Sequence, residues 1–295
     1  MTASTSSDAT APRDITAAVV RSFATTPDVR LRFLLERLVH HLHAFVVDTR
    51  LTQGEWEAAI AFLTATGQSC TATRQELVLL SDTLGVSMLV DLLGNDGPGP
   101  ATESTVLGPF YVPGSRPREM GESIAESDGY GDPAFVSGTV RTTDGHPVEG
   151  AVLDVWQNAS NGKYAVQDPG QPEHNLRGRF QTGPDGRFRF WSVRPSDYPI
   201  PDDGPVGRML AASGRHPWRP AHLHLKVSAP GCRPVTTHFF DDGSSYLASD
   251  AVFAVKPSLV CHFDRHEPDE PGAPAGHRGP WYSLEHDLVL APVGA

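Results

Sequence analysis

Along the first hundred residues, hydrophobic positions recur at three- and four-residue steps. Leu31, Leu34, Leu35, Leu38, Leu42 and Phe45 form one such stripe, which predicts an amphipathic helix. Thr52-Gln-Gly-Glu55 has the form of a capping box opening a second helix with Trp56, Ile60 and Leu63 on one side, and Gly67 is its expected stop. Thr73-Arg-Gln-Glu76 has the same form. It precedes Leu77, Leu79, Leu80 and Leu84, an interruption at Gly85, and a resumed apolar run before the breaker NDGPGP.

After about residue 130 the period shortens to two. FVSGTVRTTDGHPVEGAVLDVWQ predicts two strands around an Asp144-Gly145 turn. RFRFWSV alternates, with Phe188 and Phe190 facing one way, and AHLHLKVSA, PVTTHFF and HDLVLAP read as further strands. Short strands separated by Gly/Pro turns, with no long helix between them, predict a mainly β architecture. The expected fold is a β-sandwich preceded by an N-terminal α-helical domain. The expected division is a disordered tail over 1–14, a helical domain with linker over 15–105, and a β-sandwich over 106–295.

Composition narrows the function classes. A net charge of −11 with no Lys/Arg cluster argues against a nucleic-acid partner. Cys70, Cys232 and Cys261 are scattered and odd in number, which fits a reducing compartment better than a disulfide framework. No apolar run approaches the length of a bilayer span, and the first dozen residues carry no apolar signal core, so a cytoplasmic protein without a membrane partner is expected.

The most telling chemistry lies in RPAHLHLKV. On a strand, His222 and His224 project from one face, within reach of a single metal ion. An HxH pair alone also occurs in cupin-type sites, in zinc sites and in ordinary strands. Two tyrosines change the weighing: Tyr164 in NGKYAVQD and Tyr198 in SDYPIPDDG, where the prolines fix the backbone into a rigid platform. Either tyrosine alone reads equally as an ordinary interior phenol. If both join the imidazoles, the donor set is N2O2 with two anionic oxygens, suited to a hard trivalent ion such as Fe(III).

These motifs, together with LGPFYVPGS, GAVLDVWQNASNGKYAVQD, NLRGRFQTGPDGRFRF, YPIPDDGPVG and GRHPWRPAHLHLKVSAPG, resemble the intradiol ring-cleaving dioxygenases. The likeness runs from about residue 30 to residue 260 and is strongest to the hydroxyquinol and catechol 1,2-dioxygenase branch. It implies one non-haem Fe(III) per subunit held by Tyr164, Tyr198, His222 and His224. It also implies insertion of both atoms of O2 between two hydroxyl-bearing ring carbons, giving a cis,cis-muconic acid type product in aromatic breakdown. In that family the tyrosine matching Tyr198 leaves the iron when substrate chelates and helps accept a substrate proton. Arg219, three residues before His222, is the candidate for stabilising developing negative charge.

The resemblance further places Leu79, Asp82, Val106, Leu107, Gly108, Pro109, Phe110, Ile200, Pro201 and Val252 around the substrate ring. Asp82 is the discriminating position, because a carboxylate there can accept a hydrogen bond from a third ring hydroxyl. A solvated Asp at a helix end is the plain alternative, and chlorocatechol-cleaving relatives can carry Asp there too. His238 stands where many catechol enzymes have Gln, a departure that weakens a pure catechol assignment. The family also implies a homodimer through the N-terminal helices with phospholipid at the interface.

The expected substrate is hydroxyquinol, giving 3-hydroxy-cis,cis-muconate and maleylacetate, with catechol or chlorocatechol as the rival. A cupin-like Fe(II) enzyme would need a carboxylate soon after the HxH pair, and LKVSAPG supplies none. A non-catalytic, transthyretin-like sandwich is the rival from outside enzymology. Trp156 is expected in the core, and His262, Asp264, His266 and Glu267 in a solvated loop.

Overall fold

The computed structural model describes residues 12–94, 99–127 and 129–293. By its internal contacts the chain separates into two compact units, one ending at Thr64 and one beginning at Ala65.

The first unit is helical. It holds α1 (Pro12–Ser22), α2 (Val29–Thr49) and most of α3 (Gln53–Gln68). The α2 stripe begins after Asp28, whose side chain accepts from the Leu31 amide, a normal N-cap. The first capping box is present: Thr52 N–H donates to Glu55 Oε2 at 2.8 Å and Glu55 N–H to Thr52 Oγ1 at 3.4 Å. Helix α1 begins at Pro12, so Pro12, Arg13 and Asp14 belong to it and not to the tail; proline suits a first helical turn, where its missing N–H has no intrahelical partner. The rest of the expected tail, and most of the NDGPGP breaker, lie outside the described residues.

The second unit begins with α4 (Glu76–Thr83) and α5 (Val86–Gly94), separated at Gly85, which sits at φ 72. The second expected capping box does not form. Glu76 is buried and already engaged: Arg74 grips it at 2.8 Å, and it accepts from the Val206 amide at 3.1 Å. It thereby serves the N-terminus of α6 (Pro205–Ala212), far along the chain, and not its own helix.

Two five-stranded sheets follow. The first centres on β1 (Pro133–Thr142), paired antiparallel with β4 (Arg187–Val193) and parallel with β11 (Trp281–Glu285) and β12 (Leu288–Leu290); β10 (Asp264–His266) pairs with β11. The second runs β3 (Arg177–Gln181), β2 (Val152–Trp156), β7 (His222–Ser228), β8 (Val235–Asp241) and β9 (Val260–Cys261). A separate ribbon joins β5 (Tyr198–Pro199) to β6 (Trp218–Arg219). The Asp144-Gly145 turn exists, but β1 and β2 enter different sheets, as a sandwich connection requires. Residues 264–266 form an edge strand and not a loop; three residues are too few to show an alternating pattern.

The core lies between the sheets. Val136, Phe188, Phe190 and Leu284 come from one side, and Leu153, Val155, Leu223, Leu225, Val227 and Phe239 from the other. Because side chains alternate, His222 and His224 of β7, Trp156 of β2 and His238 of β8 point to the opposite face of the second sheet. Among the described residues, no single helix is long and apolar enough to cross a membrane.

Candidate metal centre

That opposite face is buried too. His222 and His238 are 0% exposed and His224 1%. Three pieces of chain cover it. The loop after β2 brings Tyr164, the β5–β6 ribbon brings Tyr198 and Arg219, and residues 106–111 lay Phe110 on the Tyr164 ring at 4.7 Å. Gly108 packs so close to His224 that a Cβ there would lie 3.4 Å from the imidazole Cε1, and its φ of 75 also favours glycine.

The polar atoms of four side chains converge. Tyr164 Oη lies 2.9 Å from His224 Nε2 and 3.2 Å from Tyr198 Oη, and the two Nε2 atoms lie 3.1 Å apart. Two donors bonded to one ion at about 2.1 Å, and roughly 90–110° apart, sit about 3.0–3.4 Å from each other. The observed spacings therefore suit ligands of a common centre. His238 adds a third imidazole: one nitrogen from each of His222, His224 and His238 lies within 4.8 Å of the others.

His222 and His224 are held differently. His222 Nδ1 lies 2.6 Å from the Pro220 carbonyl, which fixes the Nδ1–H tautomer and leaves Nε2 free to bind. His224 is held by rings. Trp156 stacks on it at 4.6 Å with the planes 12° apart, and His238 meets it edge-on at 4.1 Å. Trp156 thus belongs to the site as well as to the buried interior. Tyr111 backs it at 4.8 Å and donates to Asp154 at 3.0 Å.

Burial sets the protonation states. It holds all three histidines well below their ordinary value, with the Arg219 charge adding to the effect, so each ring is neutral and able to offer a lone pair. Burial, and then Tyr198, push the Tyr164 phenol well above its usual range. A phenolate at Tyr164 thus needs a cation beside it, which is what a bound metal supplies.

Arg219 is 2% exposed, and its Nη1 lies 3.2 Å from both Tyr198 Oη and His222 Nε2. Burial works against its charge, but Asp250 and the two phenols more than offset this and raise its pKa. Asp82, on α4, is buried, and burial raises its carboxyl pKa while a hydrogen bond from Ser87 and then the Arg219 charge oppose the shift.

A cleft of about 490 Å³ opens beside the centre, walled in part by Leu79, Pro109, Phe110, Ile200 and Pro201. Asp82, Val106, Val252 and His238 are buried and are not among its walls, and Leu107 is exposed. Sequence reasoning missed Asp250 and placed Trp156 only in the core. No local motif marks Asp250, whereas the alternation that aims His222 and His224 also aims Trp156, which pairs with His224.

Residues 106–291 match a family model described as "Dioxygenase", and residues 28–102 match "Catechol dioxygenase N terminus". The chain is 47% identical to hydroxyquinol 1,2-dioxygenase of Nocardioides simplex, covering 95% of this chain and 96% of that one. The crystal structure of hydroxyquinol 1,2-dioxygenase from Pseudomonas putida DLL-E4 superposes with a TM-score of 0.86 at 48% identity, covering 95% and 98% of the two chains. That of catechol 1,2-dioxygenase from Acinetobacter radioresistens also gives 0.86, at 29% identity, over 96% and 93%. The chain belongs to the intradiol ring-cleavage dioxygenases.

Proposed function

We propose that this enzyme opens the ring of hydroxyquinol (benzene-1,2,4-triol), using one Fe(III) per subunit bound by Tyr164, Tyr198, His222 and His224. The observation that carries this is the convergence of two phenol oxygens and two neutral imidazoles at 2.9–3.2 Å. Anionic oxygen donors favour a hard trivalent ion over zinc. When bound, the ferric ion acts as Lewis acid and template for the vicinal diol and makes the ring reactive toward O2.

The chain's own residues do the rest. Tyr164, His222 and His224 hold the centre. Tyr198, on the short β5–β6 ribbon, keeps its phenol oxygen 3.2 Å from Arg219 Nη1, where as a phenolate it would accept a proton from an incoming hydroxyl. Arg219, itself removed from water, places a fixed positive charge beside that exchange, where such a donor contributes about 3–4 kcal/mol. Phe110, Leu79, Pro109, Ile200 and Pro201 form apolar walls for a flat ring; Val106, Leu107, Gly108 and Val252, which the family resemblance places around the ring, do not line this cleft. His238 packs behind the two ligand imidazoles as a supporting ring.

A third hydroxyl is recognised by Asp82, a buried carboxyl on which the Arg219 charge acts. The identities of 43–48% to several hydroxyquinol 1,2-dioxygenases support this substrate over catechol. Asp82→Ala should lower kcat/KM for hydroxyquinol at least about tenfold more than for catechol. Equal losses, or a wild type that prefers catechol, would contradict the assignment.

The helical segment is assigned to residues 12–105 and the catalytic one to 106–295, in keeping with the family-model matches over 28–102 and 106–291. The helical segment supports a homodimer, with phospholipid as a further occupant, because Phe33, Leu34, Leu38, Leu42 and Phe45 are about half exposed in the single chain. A reducing, cytoplasmic compartment is in keeping with three free thiols.

A further inference from the structure

The guanidinium that faces the metal ligands is gripped from behind by a carboxylate that no motif marked. Asp250 follows β8 in the chain and is 5% exposed. Its Oδ1 accepts from Arg219 Nε at 3.1 Å and its Oδ2 from Nη2 at 3.3 Å, a side-on grip on one edge of the plane. The remaining arm, Nη1, is the one that reaches Tyr198 Oη and His222 Nε2.

The same carboxylate builds the turn it sits on. Oδ1 also accepts from the Val252 amide at 3.2 Å and Oδ2 from the Ala254 amide at 3.0 Å. Together these bonds hold Phe253 at φ 60 and keep Val252 buried. A second clamp supports the turn: Arg215 donates to the Ala251 carbonyl at 2.8 Å and to the Thr83 carbonyl, next to Asp82, at 2.6 Å. One carboxylate therefore fixes the direction of Arg219 and the position of Val252 together.

We propose that Asp250 is a positioning residue for ring cleavage: its side-on grip aims Arg219 Nη1 at the Tyr198 phenol. The proposal rests on the intradiol reading above. An asparagine has the same shape but only one acceptor oxygen, so its amide N–H groups would face the N–H donors of Arg219 or Ala254 and release the guanidinium. A purely structural acid would lower stability on removal and leave the chemistry of the folded molecules unchanged.

The test compares wild type, Asp250→Asn, Arg219→Leu and the double variant, each loaded with iron. Asp250→Asn should lower kcat about 10–100-fold, with KM for hydroxyquinol changed far less. It should also shift the visible tyrosinate-to-iron band of the resting protein before any substrate is added. In the Arg219→Leu background, adding Asp250→Asn should change kcat less than twofold, because the residue it acts through is gone. A wild-type band and kcat in Asp250→Asn would overturn the proposal, as would losses that multiply in the double variant. If Asp250→Asn does not fold, Arg219→Lys decides. Lysine keeps the charge but cannot hold Asp250 with one edge while reaching Tyr198 with another. It should show the same band shift and fall in kcat, and a wild-type band and kcat would sink the idea. These outcomes require a wild type that binds iron and opens the ring; a wild type that does neither removes the intradiol reading itself.

Discussion

Strand β7 presents two buried faces one residue apart, and they are built on opposite terms. Leu223, Leu225 and Val227 enter an apolar core with Phe239 and Val155. His222 and His224 enter an equally dry layer made of Trp156, Tyr164, Tyr198 and Arg219. The first face stabilises the fold by removing hydrocarbon from water. The second keeps polar groups out of water, which is unfavourable unless each finds a partner. Here Tyr164, Tyr198, His222, His224 and Arg219 partner one another, whereas Trp156 Nε1 and His224 Nδ1 have no hydrogen-bond partner; the proposed metal would be a further partner for the phenols and imidazoles. The comparison teaches that burial alone does not separate core from site; what each buried atom is able to bind does.

Substitutions on the two faces should therefore fail in different ways. His224→Ala removes a proposed ligand and the ring that Trp156 stacks on, and should abolish iron binding and lower ring cleavage on the order of a thousandfold or more, read by metal analysis and O2 uptake. Leu225→Ala should destabilise the protein by about 2–5 kcal/mol in a denaturant titration while the folded fraction keeps its specific activity and colour. Comparable activity losses in the two variants would erase the distinction between the faces.

A smaller effect sharpens it. In the iron-free protein His222, His224 and His238 resist protonation because they are buried, whereas the unfolded chain protonates them near 6.5. The unfolded state thus binds more protons below that value. Stability should be fully present well above pH 6.5 and fall progressively as the pH drops through and below that value. Melting temperatures of iron-free protein between pH 8 and pH 5.5 check the sign; a rise toward acid would contradict the buried, neutral state.

Much of this was legible in the chain because it is local. The period-two pattern of HLHLKV places both imidazoles on one face, and the leucine stripe of α2 matches a helix over Val29–Thr49. What escaped is set by distant contacts. Glu76 abandons its expected cap because Arg74 and the Val206 amide claim it. The two strands flanking Asp144-Gly145 separate into different sheets, which a turn motif cannot announce. Asp250 acquires its place only when the chain brings it against Arg219, 31 positions away.

The central claim is that two phenols and two imidazoles meet at one ferric ion, and the visible spectrum of the iron-loaded protein tests it most directly. Wild type should be red to burgundy from a tyrosinate-to-iron band at one iron per chain. Tyr164→Phe should shift or lose that band. Protein that holds stoichiometric iron and stays colourless would contradict the account.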